Sequence, residues 1–330
     1  MTNFERSPNA GASNTRSNLL LRLVRRRESG IFLALLVLML LITAFQRNFA
    51  TANNLYLVGR QIAYTAIVAL GVFFVILTSG IDLSIGSVVG LSGVTCGMAM
   101  AAGLPPFLAV AVGLLTGIAV GAVNGAVVAY VGVTPFIVTL GTLSMTRGIV
   151  FIMTHGDSIR AIPEPFIKAG LMDVFGIPMP VIVLAVVAII AHFVASKSVL
   201  GRHLYALGGN EQAAALSGIH TRRLKLAAYS ISGMLSSISG VLFVARFRSA
   251  QANAGLGMEL DAIAAAVIGG TSLMGGQGSV AGVLLGASVM GVLRNGLVLM
   301  EVSSYWQELI IGLVIVLAAV IDIVRNRWRY

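Results

Sequence analysis

Long apolar runs recur along almost the whole of this 330-residue chain, and they restrict its fold more than any other feature. Hydrophobic residues make up 57% of the sequence and charged residues 10%, whereas soluble domains contain roughly 25% charged residues. A helix of about 20 apolar residues spans the hydrocarbon core of a bilayer. The sequence therefore predicts an all-α, polytopic integral membrane protein.

Ten apolar runs predict about 10 transmembrane helices. Their predicted bounds are 29–47, 62–79, 81–102, 106–131, 134–154, 178–196, 225–245, 259–270, 279–300 and 304–324. The run at 259–270 is the weakest, since it is short and leads into the Gly-rich segment 269–278. We expect a broken or re-entrant helix there, because irregular backbone at membrane depth persists only where it is buried in protein or lines water.

The positive charges predict which helix ends face the cytoplasm, because Lys and Arg collect in retained cytoplasmic segments. They concentrate before the first helix, after the last helix and in the loop 197–225. We therefore expect both termini and this loop to be cytoplasmic, and the neutral loop 155–177 to be external. Arg246 and Arg248 are the main counterexample, since they fall in a predicted external loop, although Arg side chains at helix ends can reach an interface.

Residues 1–28 are predicted to form a mostly disordered cytoplasmic tail, because the first 18 are polar and offer no apolar face to bury. Arg25, Arg26 and Arg27, followed by the apolar run from Ile31 to Phe45, imitate a cleavable signal peptide. The basic segment is long for such a signal, and further apolar runs follow. We therefore expect this run to be the first membrane helix of a transmembrane domain covering 29–330.

An internal echo relates two parts of the chain. Asn124-Gly125 and Asn295-Gly296 are each followed, 16 residues after the Gly, by another glycine, Gly141 or Gly312. Upstream of these pairs lie Gly113, Gly117 and Gly121 in one copy and Gly282, Gly286 and Gly291 in the other. Two copies in one orientation would form a parallel repeat, and chance similarity stays open because membrane helices are Gly-rich in any case.

Glycine spacing also predicts close helix packing. Gly113, Gly117 and Gly121 stand four residues apart and share one helix face, where missing side chains let another helix approach.

Polar side chains in predicted membrane segments should face protein or water. Candidate pathway residues on this basis are Asp82, Ser84, Asn124, Thr139 and Asn295. Asp82 lies between two predicted helices, where it can instead cap the second by accepting hydrogen bonds from free backbone N–H groups. No carboxylate stands out in the middle of a predicted helix, which disfavours an ion-coupled carrier.

The chain lacks the sequence motifs of ATP hydrolysis and of metal binding. The Gly-rich segment 269–278 contains no Lys, so it is not a G-x-x-x-x-G-K-[ST] phosphate loop. The four histidines have no metal-ligand spacing, and the single Cys96 cannot form a disulfide within the chain. We expect no catalytic residue, no metal site, no cofactor bound by this chain and no nucleic-acid partner.

The loop 197–225 contains a short predicted helix between two turn signals. Gly208-Gly209-Asn210 is typical of a turn and helix cap, Glu211 to Ser217 of a helix, and Gly218 of its end. Its small residues offer a surface that another protein can approach closely. From the residues alone, a docking surface and a simple linker fit equally well. If the helix docks a partner, Ala214→Arg should block docking and leave the domain folded.

The segment from Gln212 to Gly218, QAAALSG, resembles the loose E-A-A-x-x-x-G motif in the docking loop of ABC importer permeases, with Gln212 in place of the motif's Glu. Further stretches look like the ribose permease branch of that family and extend over nearly the whole membrane portion. In chain order they are GIDLSIG at 80–86, TPFIVTLG at 134–141, ALGGNE at 206–211, ELDAIAA at 259–265 and SSYWQ at 303–307.

The resemblance implies a permease subunit, not an enzyme, of an ATP-driven, binding-protein-dependent importer of ribose or a related monosaccharide in a bacterial inner membrane. It implies three partners: a separate ATP-binding subunit that carries ATP and Mg, a periplasmic sugar-binding protein, and a second copy of the chain. The docking residues that it implies are Gly208, Gly209, Asn210, Glu211, Gln212, Ala213, Ala214 and Gly218. An ion-coupled carrier of a small neutral solute and a membrane scaffold or receptor are the alternatives.

Overall fold

The computed structural model describes residues 27–327, with the side chains of 28–320, 323 and 324. The helices are α1 (Arg27–Phe45), α2 (Ala52–Leu77), α3 (Ile85–Ala101), α4 (Pro106–Ala126), α5 (Pro135–Thr154), α6 (Glu164–Leu171), α7 (Met179–Lys197), α8 (Val199–Gly209), α9 (Glu211–Leu216), α10 (Thr221–Phe247), α11 (Met258–Ile268), α12 (Val280–Leu299) and α13 (Ser304–Arg327). A two-stranded antiparallel hairpin pairs β1 (Asp173–Val174) with β2 (Ile177–Pro178). Of the predicted tail, residues 1–26 lie outside the described residues.

The prediction of an all-α, polytopic protein is confirmed. Seven described helices are long and apolar enough to cross a membrane, namely α1, α2, α4, α5, α7, α10 and α12. Shorter apolar helices occur at Ile85–Ala101 and Ser304–Val320. Each of the ten predicted spans coincides with one helix, and the largest difference is at α2, which begins ten residues before its predicted start at 62.

The helix at the weakest predicted span is broken. α11 has 11 residues, so it is about 17 Å long, roughly half the thickness of a bilayer core. The Gly-rich segment after it is irregular, and Gly270, Gly275, Gly276 and Gly278 all have positive φ angles there. Side chains other than glycine rarely adopt such angles.

The centre of the bundle is α2. Every residue from Ala66 to Leu77 is buried, which is typical of a helix that is enclosed by other helices on all sides. α10 packs against α2 and also against α3 and α4.

Contacts along the helices determine their relative directions. α4 is antiparallel to α10, because Gly113 lies next to Val241 and Gly125 next to Leu226. α2 is also antiparallel to α10, and α12 is antiparallel to α2. The contacts are Gly71 with Ser232 and Tyr64 with Ser239 for the first pair, and Phe73 with Gly278 and Ile62 with Gly291 for the second. The two helices of the sequence echo, α4 and α12, therefore run in opposite directions.

The parallel direction expected for the repeat is therefore wrong. α10 packs against α3 and α4, and α2 packs in the same way against α11 and α12, so α2–α4 correspond to α10–α12 in an inverted arrangement. The echo helices are the fourth and ninth of the ten predicted crossings. They are five crossings apart, and each crossing reverses the direction of the chain, so the two helices must run in opposite directions. The spacing of the glycines is similar in both helices and carries no information on direction.

Candidate functional site

Four of the five candidate pathway residues meet inside the bundle. Asp82 is 1% exposed, and its Oδ1 accepts hydrogen bonds from the Ser84 backbone N–H at 3.0 Å and from the Ser84 hydroxyl at 2.6 Å. Its Oδ2 accepts from the Ser232 hydroxyl at 2.8 Å. The carboxylate therefore connects the start of α3 to the middle of α10.

The network continues from Ser84 into α4 and α5. The Asn124 side-chain amide donates to the Ser84 hydroxyl at 2.9 Å, and its carbonyl accepts from the Thr142 hydroxyl at 2.6 Å. The Thr139 hydroxyl lies 3.2 Å from the Ile81 carbonyl, next to Asp82. We call Asp82, Ser84, Asn124, Thr142 and Ser232 the buried polar network. It joins α3, α4, α5 and α10 inside one chain.

Asp82 does not cap α3, so the capping interpretation is corrected. The N-cap residue is Ser84, and the backbone N–H that Asp82 accepts belongs to Ser84 itself. The first turn of α3 faces Glu259, because a Cβ on Gly86 would lie 2.1 Å from Glu259 Oε2. A carboxylate at this place is favoured by the helix dipole of α3.

Three carboxylates lie inside the membrane domain at the starts of helices, not in the middle of a helix. Asp82 contacts Ser232, the twelfth of the 27 residues of α10, and Glu259 and Asp261 begin the short helix α11. Sequence reasoning missed this depth because these carboxylates precede or begin helices that start inside the bundle. The short eighth run was the signal for this depth. The lack of a carboxylate in mid-helix is weaker evidence against ion coupling once helix starts inside the bundle are included.

Asn295 is not part of the buried polar network. Its side-chain amide exchanges two hydrogen bonds with that of Asn54, both at 3.0 Å. This reciprocal pair joins α12 to the first turn of α2.

Gly113, Gly117 and Gly121 lie at the contacts of α4 with its neighbours: Gly117 and Gly121 face α10, and Gly113 faces α3 as well. A Cβ at Gly117 would lie 2.4 Å from the Gly233 carbonyl oxygen, and one at Gly121 would lie 2.2 Å from that of Tyr229. Gly113 faces the Ser92 carbonyl of α3. Backbones this close leave no room for a side chain.

The predicted docking helix is α9. The Asn210 side chain caps it by accepting from the Ala213 N–H at 2.9 Å, and Gly218, with a φ of 81°, follows its end. Glu211 forms an ion pair with Lys225 of α10 at 2.7 Å. We call residues 198–220 the docking segment.

The exposed face of α9 differs from the predicted face. Ala214 is 5% exposed and lies against the protein, so Ala214→Arg would disturb the segment itself. The residues that point outward are Gln212, Ala213, Ala215 and Leu216, and Leu216 is 90% exposed. Gly208 is also turned inward, since its Cβ would lie 1.8 Å from the Leu77 carbonyl oxygen, whereas Gly209 has open space.

A polar cavity of about 240 Å³ lies at the end of the bundle opposite the docking segment. Its polar lining includes Gln61, Tyr64, Thr65, Arg246, Asp261 and Arg294. Arg294 Nη2 contacts both Asp261 carboxylate oxygens at 2.9 Å, and the Arg246 guanidinium lies 5.0 Å from the centre of the Tyr64 ring. Among the described residues, no group of three or more His, Cys, Asp or Glu side chains could hold a metal ion.

Comparison with known proteins gives one family. Residues 54–319 match the family described as branched-chain amino acid transport system / permease component. The ribose import permease protein of Escherichia coli is 42% identical over 299 residues, which cover 89% of this chain and 93% of that protein. The D-allose and xylose transport system permease proteins of the same organism are 40% and 35% identical, over 83% and 84% of this chain and 84% and 87% of their own lengths. No solved structure matches the chain significantly.

Proposed function

The chain belongs to the branched-chain amino acid transport system / permease component family, and from this premise we propose that it imports ribose or a closely related monosaccharide. It is the permease subunit of an ABC sugar importer, a transport component and not the ATPase. The observation that carries the choice of sugar is the 42% identity to a ribose import permease over 89% of this chain. The allose and xylose permeases among its relatives support a neutral monosaccharide.

We infer that a separate ATP-binding subunit, which binds ATP and Mg, docks on α9. The outward face of α9 combines small side chains with the exposed Leu216. Small residues let a partner approach the helix backbone, and an exposed leucine supplies apolar area for the contact to bury. The basic residues of the loop 197–225 support a cytoplasmic position for this end, since Lys and Arg collect in retained cytoplasmic segments.

The other two proposed partners are a periplasmic sugar-binding protein, at the end opposite the docking segment, and a second copy of the chain. Asp82, Ser84 and Asn124 are at most 1% exposed, so they line no open passage in this conformation of one chain. We infer that these residues hold the helices in position and that the sugar passes between two copies. In this proposal the multi-pass protein lies in the bacterial inner membrane.

Uptake by proteoliposomes tests the choice of substrate. The vesicles contain the permease with its ATP-binding subunit and the sugar-binding protein, and the uptake of labelled ribose, allose, xylose and leucine is measured separately with and without ATP. We expect ATP-dependent uptake of at least one of the three sugars and no uptake of leucine. Uptake of leucine and of none of the sugars would refute the proposal.

A further inference from the structure

The docking segment meets the membrane domain at a junction of three backbone segments. They are the end of α8, the end of α2 and the loop 269–279 between α11 and α12, which contains the Gly-rich segment 269–278. The Tyr205 hydroxyl of α8 donates a hydrogen bond to the Gly278 carbonyl at 2.9 Å. Burial raises the pKa of this hydroxyl above its usual value, so it keeps the proton that it donates.

Close backbone packing ties the same three segments together. A Cβ on Gly208 would lie 1.8 Å from the Leu77 carbonyl oxygen and 2.3 Å from the Gly276 nitrogen. The Gly276 N–H in turn donates to the Leu77 carbonyl at 3.1 Å. With no side chain between them, these backbones cannot shift independently without losing contact, because packed interiors are dense.

The link from α2 to α3 leads from this junction to the buried polar network. The Ser79 hydroxyl donates to the Met274 carbonyl at 2.8 Å, on the other side of the loop. Two residues later, the Ile81 carbonyl accepts hydrogen bonds from the hydroxyls of Tyr229 at 3.3 Å and Thr139 at 3.2 Å. Asp82 follows directly, so four residues connect the junction to α5 and α10.

We propose that Tyr205 is a positioning residue that holds the loop 269–279 on the docking segment and so transmits movement of the ATP-binding partner to the buried polar network. This inference rests on the proposed function. When a partner moves α8, the Gly208 contact displaces Leu77, and the Tyr205 hydrogen bond keeps the loop moving with it. Without that bond the loop can lag behind, and ATP hydrolysis is then less often followed by transport.

Tyr205→Phe in the complete transporter tests this inference, because it removes only the hydroxyl. We measure sugar molecules transported per ATP hydrolysed in proteoliposomes, together with association of the ATP-binding subunit. We expect the ratio to fall about fivefold, the effect of one ordinary hydrogen bond on an equilibrium, and association to stay unchanged. Tyr130→Phe is the matched control, since this tyrosine is 53% exposed and its hydroxyl makes no hydrogen bond to any of the described residues.

Two further comparisons keep the test decisive if Tyr205→Phe is poorly folded. Ser79→Ala removes the bond to the Met274 carbonyl on the other side of the loop and should lower the ratio in the same way. Gly208→Ala should also lower it, whereas Gly148→Ala on α5, with nothing within 4 Å of its Cβ, should not.

The inference is overturned if Tyr205→Phe or Ser79→Ala folds normally and still transports as many sugar molecules per ATP hydrolysed as the wild type. Failure of the proposed function gives a different result. In that case the wild-type complex itself shows no ATP-dependent uptake of sugar, or the ATP-binding subunit does not bind the permease.

Discussion

At the scale of single residues, the most constrained side chain is that of Asp82. It is buried, yet both carboxylate oxygens have hydrogen-bond donors within 3.0 Å. A buried polar group is tolerated only when it is paired in this way. Its partners come from two different helices, so Asp82 stabilises the packing of α3 against α10.

Asp82→Ala should destabilise the purified permease by about 1–3 kcal/mol, because the donors of Ser84 and Ser232 are left unpaired in the interior. Asp82→Asn should cost less, since the amide carbonyl still accepts from Ser84 and the amide N–H can donate to the Ser232 hydroxyl. Unfolding in detergent measures both. Asp157→Ala, at an exposed position, is the control, and equal stability of all three variants would contradict the role assigned to the carboxylate.

The sequence was sufficient to select Asp82, Ser84, Asn124 and Thr139 as polar groups that need partners inside a membrane domain. It could not identify the partners. Ser232 is 150 residues from Asp82 in the chain, and only the packing of α10 against α3 brings the two side chains together. Ala214 shows the same limit, because composition does not tell which face of a short helix is turned inward.

At the scale of helices, the glycines of α4 determine how closely it approaches α10. Gly117→Ala should lower the stability of the permease by about 1–3 kcal/mol, the usual cost of overpacking, because its Cβ would lie 2.4 Å from the Gly233 carbonyl oxygen. Gly141→Ala on α5 is the matched control, since its Cβ would have nothing within 4 Å. The measurement is thermal unfolding of both variants. Equal unfolding midpoints would show that α4 and α10 have room for a Cβ at Gly117.

The outward face of α9 gives a second prediction at this scale. Ala215→Arg should abolish association of the ATP-binding subunit, because the long side chain holds the partner away from the helix. The stability of the isolated permease should change by less than about 0.5 kcal/mol, as for most exposed positions. Co-purification measures association.

Ala102→Arg, exposed at the opposite end of the bundle, is the matched control and should leave association intact. If the ATP-binding subunit associates normally with the Ala215→Arg variant, α9 is only a linker and not a docking surface.

Helix positions could be predicted from apolar runs because a bilayer imposes a minimum length on each span. The depth in the membrane domain at which α3 and α11 begin could not be predicted from these runs. α11 has 11 residues, and irregular segments precede and follow it, so a hydropathy window does not reveal that Glu259 faces the first turn of α3. The inverted direction of the repeat depends on the same three-dimensional packing.

At the scale of the whole molecule, the orientation in the membrane rests on the loop charges. With Ser217→Cys, we expect no reaction with an impermeant thiol reagent added to intact cells. Phe175→Cys, in the hairpin turn at the opposite end, should react, since Phe175 is fully exposed. The native Cys96 is buried and contributes little background. Labelling at position 217 from outside would reverse the assigned orientation.

ATP-driven transport by a complex is the central claim. The buried Asp82 and the half-buried Glu259 and Asp261 make an ion-coupled carrier the alternative that most needs a direct test. The decisive measurement is sugar uptake by vesicles that contain this chain alone, with and without a proton or sodium gradient, beside vesicles that also contain the ATP-binding subunit and the sugar-binding protein. We expect uptake only in the complete system and only with ATP. Gradient-driven uptake by the chain alone would contradict the assignment.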